Sequence, residues 1–369
     1  MKKVFQISLI IISLISFSCG EKKNKPNTPK ENRVVDNYSA KIDSLIQTTN
    51  PRKFNGVILI TQKGEIKYSK AHVYSDFENK TPISLSDNFR IQSNSKQITA
   101  VLILKEFEKG NINLHTSIKQ YLPGLKATWA NAVTVHQLLN MSSGISSIED
   151  PLLFEPGTDF YYSNPAYGLL GKIIKNVTGS EYVEIANELF KELGMNRTYC
   201  YELGMINNEL INGYGNDNET KKFMVKDIDK NLSPLPNPKE SWKNFIPAGG
   251  IISNLNDLRI WDEHLHKGDL LKPETYKLMI SSDDRRTDYF KAYGEEKIGY
   301  GYGVCISNEP LLNIGHPGKG LGFGSYKFYV PDTDLSVIVL QNLFYDDSEI
   351  FFHFEKEIRK IVLNSSLVK

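Results

Sequence analysis

The feature that most restricts the fold is the position of the strand-forming segments, which lie at both ends of the chain. Residues 55–60 begin a strand, a Lys-Gly turn follows, and residues 65–74 complete an antiparallel hairpin. Strand patterns return at residues 298–306, 324–330 and 335–340. The sequence therefore predicts an α+β fold in which N- and C-terminal segments build one antiparallel sheet flanked by helices.

The middle of the chain has the apolar spacing of helices. An all-helical subdomain is predicted over about residues 97–245, inserted between the two halves of the sheet and leaving a cleft at the junction. Within it, residues 206–240 are polar and predict a surface hairpin and loop, with a turn at residues 216–218. A helix capped by its first residue, a serine, is predicted over residues 253–266, and residues 349–363 predict a closing helix.

Charge and composition exclude several classes of function. The 44 basic and 43 acidic side chains give a net charge of +1, which offers no field to attract a nucleic acid. With 40% hydrophobic and 24% charged residues among 369, the chain is an ordinary folded protein, neither disordered nor a multi-span membrane protein.

The N-terminus differs from this average. Residues 1–19 have a basic start, an apolar run and small residues before Cys19, the pattern of an export signal. The segment resembles the signal peptide of bacterial lipoproteins, in which that cysteine is acylated. A lysine-rich tether is predicted over residues 20–35, and a folded domain over residues 36–365. We expect export and lipid anchoring in the cell envelope, in the periplasm or at the outer membrane. A plain signal peptide with an incidental cysteine is the alternative.

No metal or cofactor is predicted. Cys200 and Cys305 are far apart, without a Cys or His at ligand spacing, and are expected to be buried thiols, with a disulfide as the alternative. His264 and His266 are two residues apart on a predicted helix and do not share a face, which argues against a metal hydrolase.

The first candidate for chemistry is the pair Ser93 and Lys96. A strand-like approach leads into a helix predicted to begin near Ser93, which places the two side chains one turn apart on one face. A desolvated lysine can help remove the serine proton, and a helix N-terminus offers N–H groups to an oxyanion. The alternative is a helix cap beside a solvent-exposed lysine.

Two further segments could complete a site. In the first, Tyr162 and Asn164 precede a helix opened by a proline, with Asn164 predicted at the cap; Tyr162 could act as a base, and Asn164 could bind a substrate amide. In the second, glycines around His316, Gly318 and Lys319 let a substrate lie close to the backbone, and His316 offers a donor or a cation. Capping, packing and a flexible turn are the structural alternatives.

The order of the three motifs resembles the serine β-lactamase and penicillin-binding-protein superfamily, in its class C-like branch. The resemblance spans about residues 55–340 and includes residues 89–99, 133–144, 156–171, 193–195, 247–250 and 300–304. It implies acyl transfer through an acyl-serine. By this resemblance Ser93 is the nucleophile, Lys96 and Tyr162 transfer protons, and Asn164, His316, Gly318 and Lys319 bind substrate. The backbone N–H groups of Ser93 and Lys319 would form the oxyanion hole.

The chain also departs from the family pattern. Pro317 replaces a threonine whose hydroxyl helps to hold a substrate carboxylate, and Lys319 could supply a compensating charge. Residues 145–155 form a short loop where relatives cover the cleft, so an open site is expected.

We therefore predict a serine hydrolase acting on a D-amino-acid peptide or a small ester or amide, of the D-Ala-D-Ala carboxypeptidase, D-aminopeptidase or esterase type. The partner is a small-molecule or peptide substrate that could derive from peptidoglycan. A class C-like β-lactamase and a non-catalytic envelope binding protein are the alternatives. The oligomeric state and the exact substrate remain open.

Overall fold

A computed structural model describes residues 37–205, 209–216, 223–282, 289–291 and 298–369. The predicted signal peptide, the tether, Cys19 and positions 217 and 218 of the predicted turn lie outside the described residues. Residues Asn37–Lys369 form one compact unit. None of the helices in the described ranges combines the length and apolar character needed to traverse a bilayer.

The chain forms twelve α-helices and fifteen strands within the described residues. The helices are α1 (Tyr38–Leu45), α2 (Ser95–Glu108), α3 (Ile118–Tyr121), α4 (Val135–Leu139), α5 (Asn164–Thr178), α6 (Tyr182–Glu192), α7 (Ile228–Leu232), α8 (Pro238–Gly249), α9 (Leu255–His266), α10 (Pro273–Met279), α11 (Ser348–Phe351) and α12 (His353–Leu363). The strands are β1 (Gly56–Gln62), β2 (Glu65–His72), β3 (Tyr74–Asp76), β4 (Thr81–Pro82), β5 (Phe89–Arg90), β6 (Tyr199–Cys200), β7 (Tyr214–Asn216), β8 (Phe223–Val225), β9 (Ile251–Ser253), β10 (Gly299–Tyr300), β11 (Cys305–Ser307), β12 (Asn313–Gly320), β13 (Phe323–Val330), β14 (Leu335–Gln341) and β15 (Leu343–Phe344).

The main sheet joins the two ends of the chain, as the strand pattern predicts. Its seven strands have the order β10-β11-β12-β13-β14-β1-β2 and are antiparallel throughout. The N-terminal hairpin is added at the β1–β14 ladder, where Val57 pairs with Leu340 and Leu59 with Ile338. The predicted α+β fold with an antiparallel sheet flanked by helices is confirmed.

Both faces of this sheet are covered, which explains why successive residues of β1 are all apolar over most of the strand. Val57 and Leu59 face the larger core beneath the helical region, whereas Ile58 and Ile60 face a second core closed by α1 and α12. Burying one such side chain contributes about 1.5–3 kcal/mol. The alternation therefore fixes the register of β1 between two cores.

Several predicted boundaries move in the structure. Asn254, not Ser253, caps α9, because its side chain accepts a hydrogen bond from the Asp257 N–H at 3.0 Å while Ser253 ends β9. The predicted closing helix is interrupted at Phe352 and forms α11 and α12. The helical region extends past residue 245, because α8 continues to Gly249. Cys200 and Cys305 are buried and do not form a disulfide with each other, as expected.

A buried ion pair ties α9 to the sheet. The Lys327 ammonium on β13 donates a hydrogen bond to Asp262 Oδ1, and the side chains are only 3% and 4% exposed. Ser336 Oγ on β14 donates to the other carboxylate oxygen at 2.7 Å. Each charge depends on the other, because neither has water to replace its partner.

We expect the Asp262→Asn substitution to lower the free energy of unfolding by about 3–5 kcal/mol, because it leaves a buried ammonium without its counter-charge. Urea denaturation measures the loss. Glu65→Gln is the control. It breaks the ion pair between Glu65 and Lys67, in which the Glu65 side chain is 74% exposed. Equal midpoints for the two variants would contradict this account of the pair.

Candidate active site

The nucleophile candidate lies on a tight turn between β5 and α2. A 3₁₀ turn over Gln92–Asn94 carries Ser93, and α2 begins only at Ser95, two residues later than the sequence predicts. Gln92 has φ +49°, a left-handed conformation that is strained for a residue with a side chain. Its amide Nε2 donates to the Gly320 carbonyl at 2.7 Å, which holds the turn against β12.

Lys96 lies within reach of Ser93, as their spacing predicts. Its Nζ is 3.1 Å from Ser93 Oγ, 2.8 Å from Asn164 Oδ1 and 2.7 Å from the Ala248 carbonyl oxygen. The residue is fully buried. Burial lowers the pKa of the Lys96 ammonium well below its ordinary value.

The pairing of β5 with β9 explains why a helix end meets Lys96. Strand β9 follows the end of α8 by one residue, and Arg90 of β5 pairs with Ile252 of β9. The last turn of α8 is thereby placed beside the start of α2. Carbonyls in the last turn of a helix lack intrahelical partners, so the Ala248 carbonyl can accept a hydrogen bond from Lys96.

Tyr162 completes the contact around Ser93. Its hydroxyl shares a hydrogen bond with the Ser93 side chain, and its ring lies 4.8 Å from Lys96 Nζ. Burial raises the pKa of the Tyr162 phenol well above its ordinary value, and the hydrogen bond with Ser93 opposes this only in part. This direction favours a protonated phenol, in contrast to the expected role of Tyr162 as a base.

Asn164 is not the cap of α5. Ser163 takes that position, and its Oγ accepts a hydrogen bond from the Ala166 N–H at 3.1 Å. The Asn164 side chain, in the first turn of the helix, therefore accepts a hydrogen bond from Lys96 through Oδ1 at 2.8 Å. Asn164 lines the same cleft as Ser93, and the buried Lys96 lies next to both side chains.

His316 lies deeper than the sequence suggests. It is 1% exposed, its Nε2 lies 3.0 Å from the Tyr300 hydroxyl, and its Nδ1 lies 2.5 Å from the Pro317 carbonyl. Burial, with Lys96 nearby, lowers the pKa of the imidazole to about 3. The expectation that His316 offers a cation is therefore not supported: the ring is neutral, with Nδ1 donating to Pro317 and Nε2 accepting from Tyr300.

Strand β12 passes the nucleophile turn beyond its pairing with β11. The β11 ladder covers Asn313, Ile314 and Gly315, whereas β13 pairs with β12 from Ile314 to Gly320. Among the described strands, the Lys319 backbone therefore lies on a part of β12 that has a ladder partner on one side alone. The role of the Lys319 N–H as an oxyanion donor stays a prediction from the family resemblance.

Gly318 allows β12 to approach that turn. A Cβ at this position would lie 2.7 Å from the Ile91 carbonyl oxygen and would collide with Ser325 Oγ. Ser325 Oγ itself donates to the Ile91 carbonyl at 2.6 Å and accepts from Asn94 Nδ2 at 2.8 Å. A larger residue would push the strand away from Ser93.

Ser93 opens into a cleft of about 470 Å³. Its walls are the polar site residues and an aromatic lining: Ser93, Tyr162, Asn164, Tyr289, Phe290, Pro317, Lys319, Gly320, Phe344, Ser348 and Phe352. Tyr289 stacks on Tyr162 with ring centroids 4.9 Å apart. None of the described wall residues comes from the loop over residues 145–155, which agrees with the expected open site.

The Lys319 side chain turns toward the far end of this cleft. Its Nζ donates to the Asp346 carbonyl at 2.7 Å and to Ser348 Oγ at 2.9 Å, above the rings of Phe344 and Phe351. Two of its three N–H groups are thus used, and it is the charged side chain among the described wall residues.

Sequence reasoning missed the Ala248 carbonyl, Tyr289 and the aromatic residues of the C-terminal segment. The Pro-Ala-Gly-Gly end of α8 belongs to the resembling segments, but a backbone acceptor has no side-chain signature. Among the described residues, no three His, Cys, Asp or Glu side chains are arranged to hold a metal ion.

The sequence model of the Beta-lactamase family matches residues 42–355 of this chain. The chain belongs to the Beta-lactamase family. It is 26% identical over 340 residues to Protein flp of Staphylococcus aureus (strain MRSA252). The matched region covers 84% of this chain and 64% of that protein. The chain thus spans less than two thirds of that relative's length.

Solved structures share the fold. An octameric penicillin-binding protein homologue from Pyrococcus abyssi has a TM-score of 0.72 at 24% identity, over 89% of this chain and 78% of its own. The D-amino acid amidase of Ochrobactrum anthropi SV3 has a TM-score of 0.72 at 21% identity, over 89% and 99%. The resemblance to the serine β-lactamase and penicillin-binding-protein superfamily is confirmed.

We expect Gly318→Ala to reduce the rate of acylation of Ser93 by at least about tenfold, because the added methyl moves β12 and its N–H away from the nucleophile. Active-site labelling kinetics measure the effect, and circular dichroism checks the fold. Gly124→Ala is the matched control, because a Cβ there meets nothing within 4 Å. Equal labelling rates for the two variants would show that the close approach of β12 is not needed.

Proposed function

We propose that this protein is a serine hydrolase that forms an acyl-serine at Ser93 on a D-amino-acid peptide or a small ester or amide. The observation that carries the proposal is the buried Lys96 amine, 3.1 Å from Ser93 Oγ and held by two other oxygen atoms. A non-catalytic scaffold has no use for a desolvated lysine aimed at a serine, because burying that amine costs stability.

Burial favours the neutral form of Lys96, and its hydrogen bonds orient that amine as the base. Asn164 Oδ1 and the Ala248 carbonyl can only accept, so a neutral amine donates its two protons to them. Its lone pair then points at the third partner, Ser93 Oγ. Ser93 transfers its proton to Lys96 as Oγ bonds to the substrate carbonyl carbon.

The carbonyl electron pair moves to oxygen in that step, and the N–H groups of Ser93 and Lys319 stabilise the resulting oxyanion. When the intermediate collapses, the leaving group takes the proton of Tyr162, and the Lys96 ammonium returns a proton to the phenol. Water then attacks the acyl-serine by the reverse sequence of proton transfers and releases the acid.

The comparisons and the cleft together support the substrate class. One structural neighbour is named as a D-amino acid amidase and another as a penicillin-binding protein homologue. In the cleft, the aromatic wall suits an apolar acyl or leaving group, and the remaining N–H of Lys319 suits an oxygen acceptor. The substrate could be derived from peptidoglycan.

A class C-like β-lactamase is the second candidate, favoured by the match to the Beta-lactamase family. We rank it lower because Pro317 and the neutral His316 remove the hydroxyl and the cation that the family motif places there. Export and lipid anchoring at Cys19 remain predictions from residues 1–19 alone.

Incubation with benzylpenicillin or a fluorophosphonate should add one reagent fragment to the protein, and Ser93→Ala should abolish the adduct. Intact mass spectrometry measures it. Ser180→Ala, which removes an exposed hydroxyl, should label like the wild type. A stable penicillin adduct favours a peptidase, and rapid drug hydrolysis favours the β-lactamase. Labelling that survives in Ser93→Ala would refute the assignment of the nucleophile.

The acylation rate should rise with pH and level off below the ordinary lysine pKa of about 10.4, because Lys96 accepts the proton only when neutral and burial lowers its pKa. Lys96→Met should reduce the rate by about 10²–10⁴-fold. Stopped-flow labelling, repeated about every half pH unit over roughly pH 5–10, measures this pH profile of the acylation rate. Lys105→Met on the same helix is the control. A Lys96→Met protein that labels at the wild-type rate would exclude Lys96 as the base.

A further inference from the structure

The end of α8 is held by two side chains of α2, not by one. Thr99 lies three residues after Lys96, and its Oγ1 is 2.7 Å from the Pro247 carbonyl oxygen. Lys96 Nζ is 2.7 Å from the next carbonyl, that of Ala248. Two successive backbone acceptors therefore meet two side chains from successive turns of one helix.

A third residue completes this contact. The Tyr182 hydroxyl, at the start of α6, is 2.7 Å from Thr99 Oγ1. We propose that Thr99 and Tyr182 are positioning residues that fix the last turn of α8 so that its Ala248 carbonyl orients the Lys96 amine toward Ser93. This inference rests on the proposed function of Lys96.

The direction of each hydrogen bond follows from chemistry. The Pro247 carbonyl can only accept, so the single Thr99 proton is donated to it. Tyr182 must then donate to Thr99 Oγ1. Thr99 is fully buried and Tyr182 is 6% exposed, so water does not compete for either bond. Burial also raises the pKa of the Tyr182 phenol, which keeps its proton in place.

The geometry connects the hydrogen bond between Thr99 and Pro247 to the position of Lys96. Pro247 and Ala248 share a peptide unit, so a hydroxyl bound to the first carbonyl limits movement of the second. Without Thr99, Lys96 is the described side chain of α2 that still hydrogen-bonds a carbonyl of this last turn, while Ser95 Oγ accepts from the Ile251 N–H just beyond it. The amine would then lose the fixed acceptor that leaves its lone pair directed at Ser93 Oγ.

Among the described residues, the titratable side chains that lie near Lys96 are Tyr162, Tyr167 on α5 and His316 on β12. Burial keeps all three neutral by raising the pKa of the phenols and lowering that of the imidazole. The carbonyl at the end of α8 is therefore a main stabiliser of the ammonium form.

The test compares Thr99→Val, which keeps the shape and removes the hydroxyl, with Thr99→Ser, which keeps the hydroxyl. We expect Thr99→Val and Tyr182→Phe to slow acylation about 10- to 100-fold through kcat more than KM. The pH at which the rate levels off should fall, because a weaker carbonyl contact disfavours the ammonium. Thr99→Ser should restore both. Thr178→Val, which removes a hydroxyl 2.7 Å from the Ile174 carbonyl, is the control.

A second readout does not require activity. In protein with ¹³C-labelled lysine, NMR titration should show a lower pKa for Lys96 in Thr99→Val than in the wild type, with Lys96→Met assigning the signal. If the wild type fails to acylate, the proposed function is wrong, whereas this titration still tests the positioning. A Thr99→Val protein that is less stable but has an unchanged rate, pH profile and Lys96 titration would overturn the inference.

Discussion

The site depends on keeping an amine dry beside a serine. Taking an ammonium out of water costs several kcal/mol unless neighbouring groups compensate, and the hydrogen-bond partners that the structure describes for Lys96 are oxygen atoms without formal charge. Burial therefore shifts the protonation equilibrium of Lys96 toward the neutral amine, which is the form that can accept a proton. The same burial that makes Lys96 reactive therefore weakens the fold, and the two apolar cores must offset it.

The surroundings of Lys96 come from distant parts of the chain. Asn164 begins α5, Ala248 ends α8, and Lys319 belongs to a strand that reaches Ser93 only because the main sheet is built from both ends. Each element is placed by its own packing: α8 by the β5–β9 pairing and β12 by Gly318 against Ile91. The proton path is thus a product of long-range contacts, although Ser93 and Lys96 are neighbours in sequence.

The difference between local and long-range contacts explains what the sequence could predict. The Ser93–Lys96 contact follows from helical spacing, and the sheet follows from strand patterns at the two ends; both need only local rules. The helix opened by a proline suggested Tyr162 and Asn164, and the family resemblance then placed them in one site with Ser93. The neutral state of His316 could not be predicted, because it depends on Tyr300 and on burial by segments far along the chain. The Ala248 acceptor could not be predicted either, since any residue supplies a carbonyl.

The strained turn at Gln92 shows how these contacts act together. A left-handed residue before the nucleophile costs of order 1–3 kcal/mol and persists only when its surroundings fix it. The Gln92 side chain is bound to Gly320, so β12 stabilises the strained turn that presents Ser93. By the family resemblance, the same strand carries the Lys319 N–H as an oxyanion donor. The Gln92–Gly320 hydrogen bond does not involve the wall residue Phe344, and a fold of this kind can therefore alter its substrate pocket while retaining its chemistry.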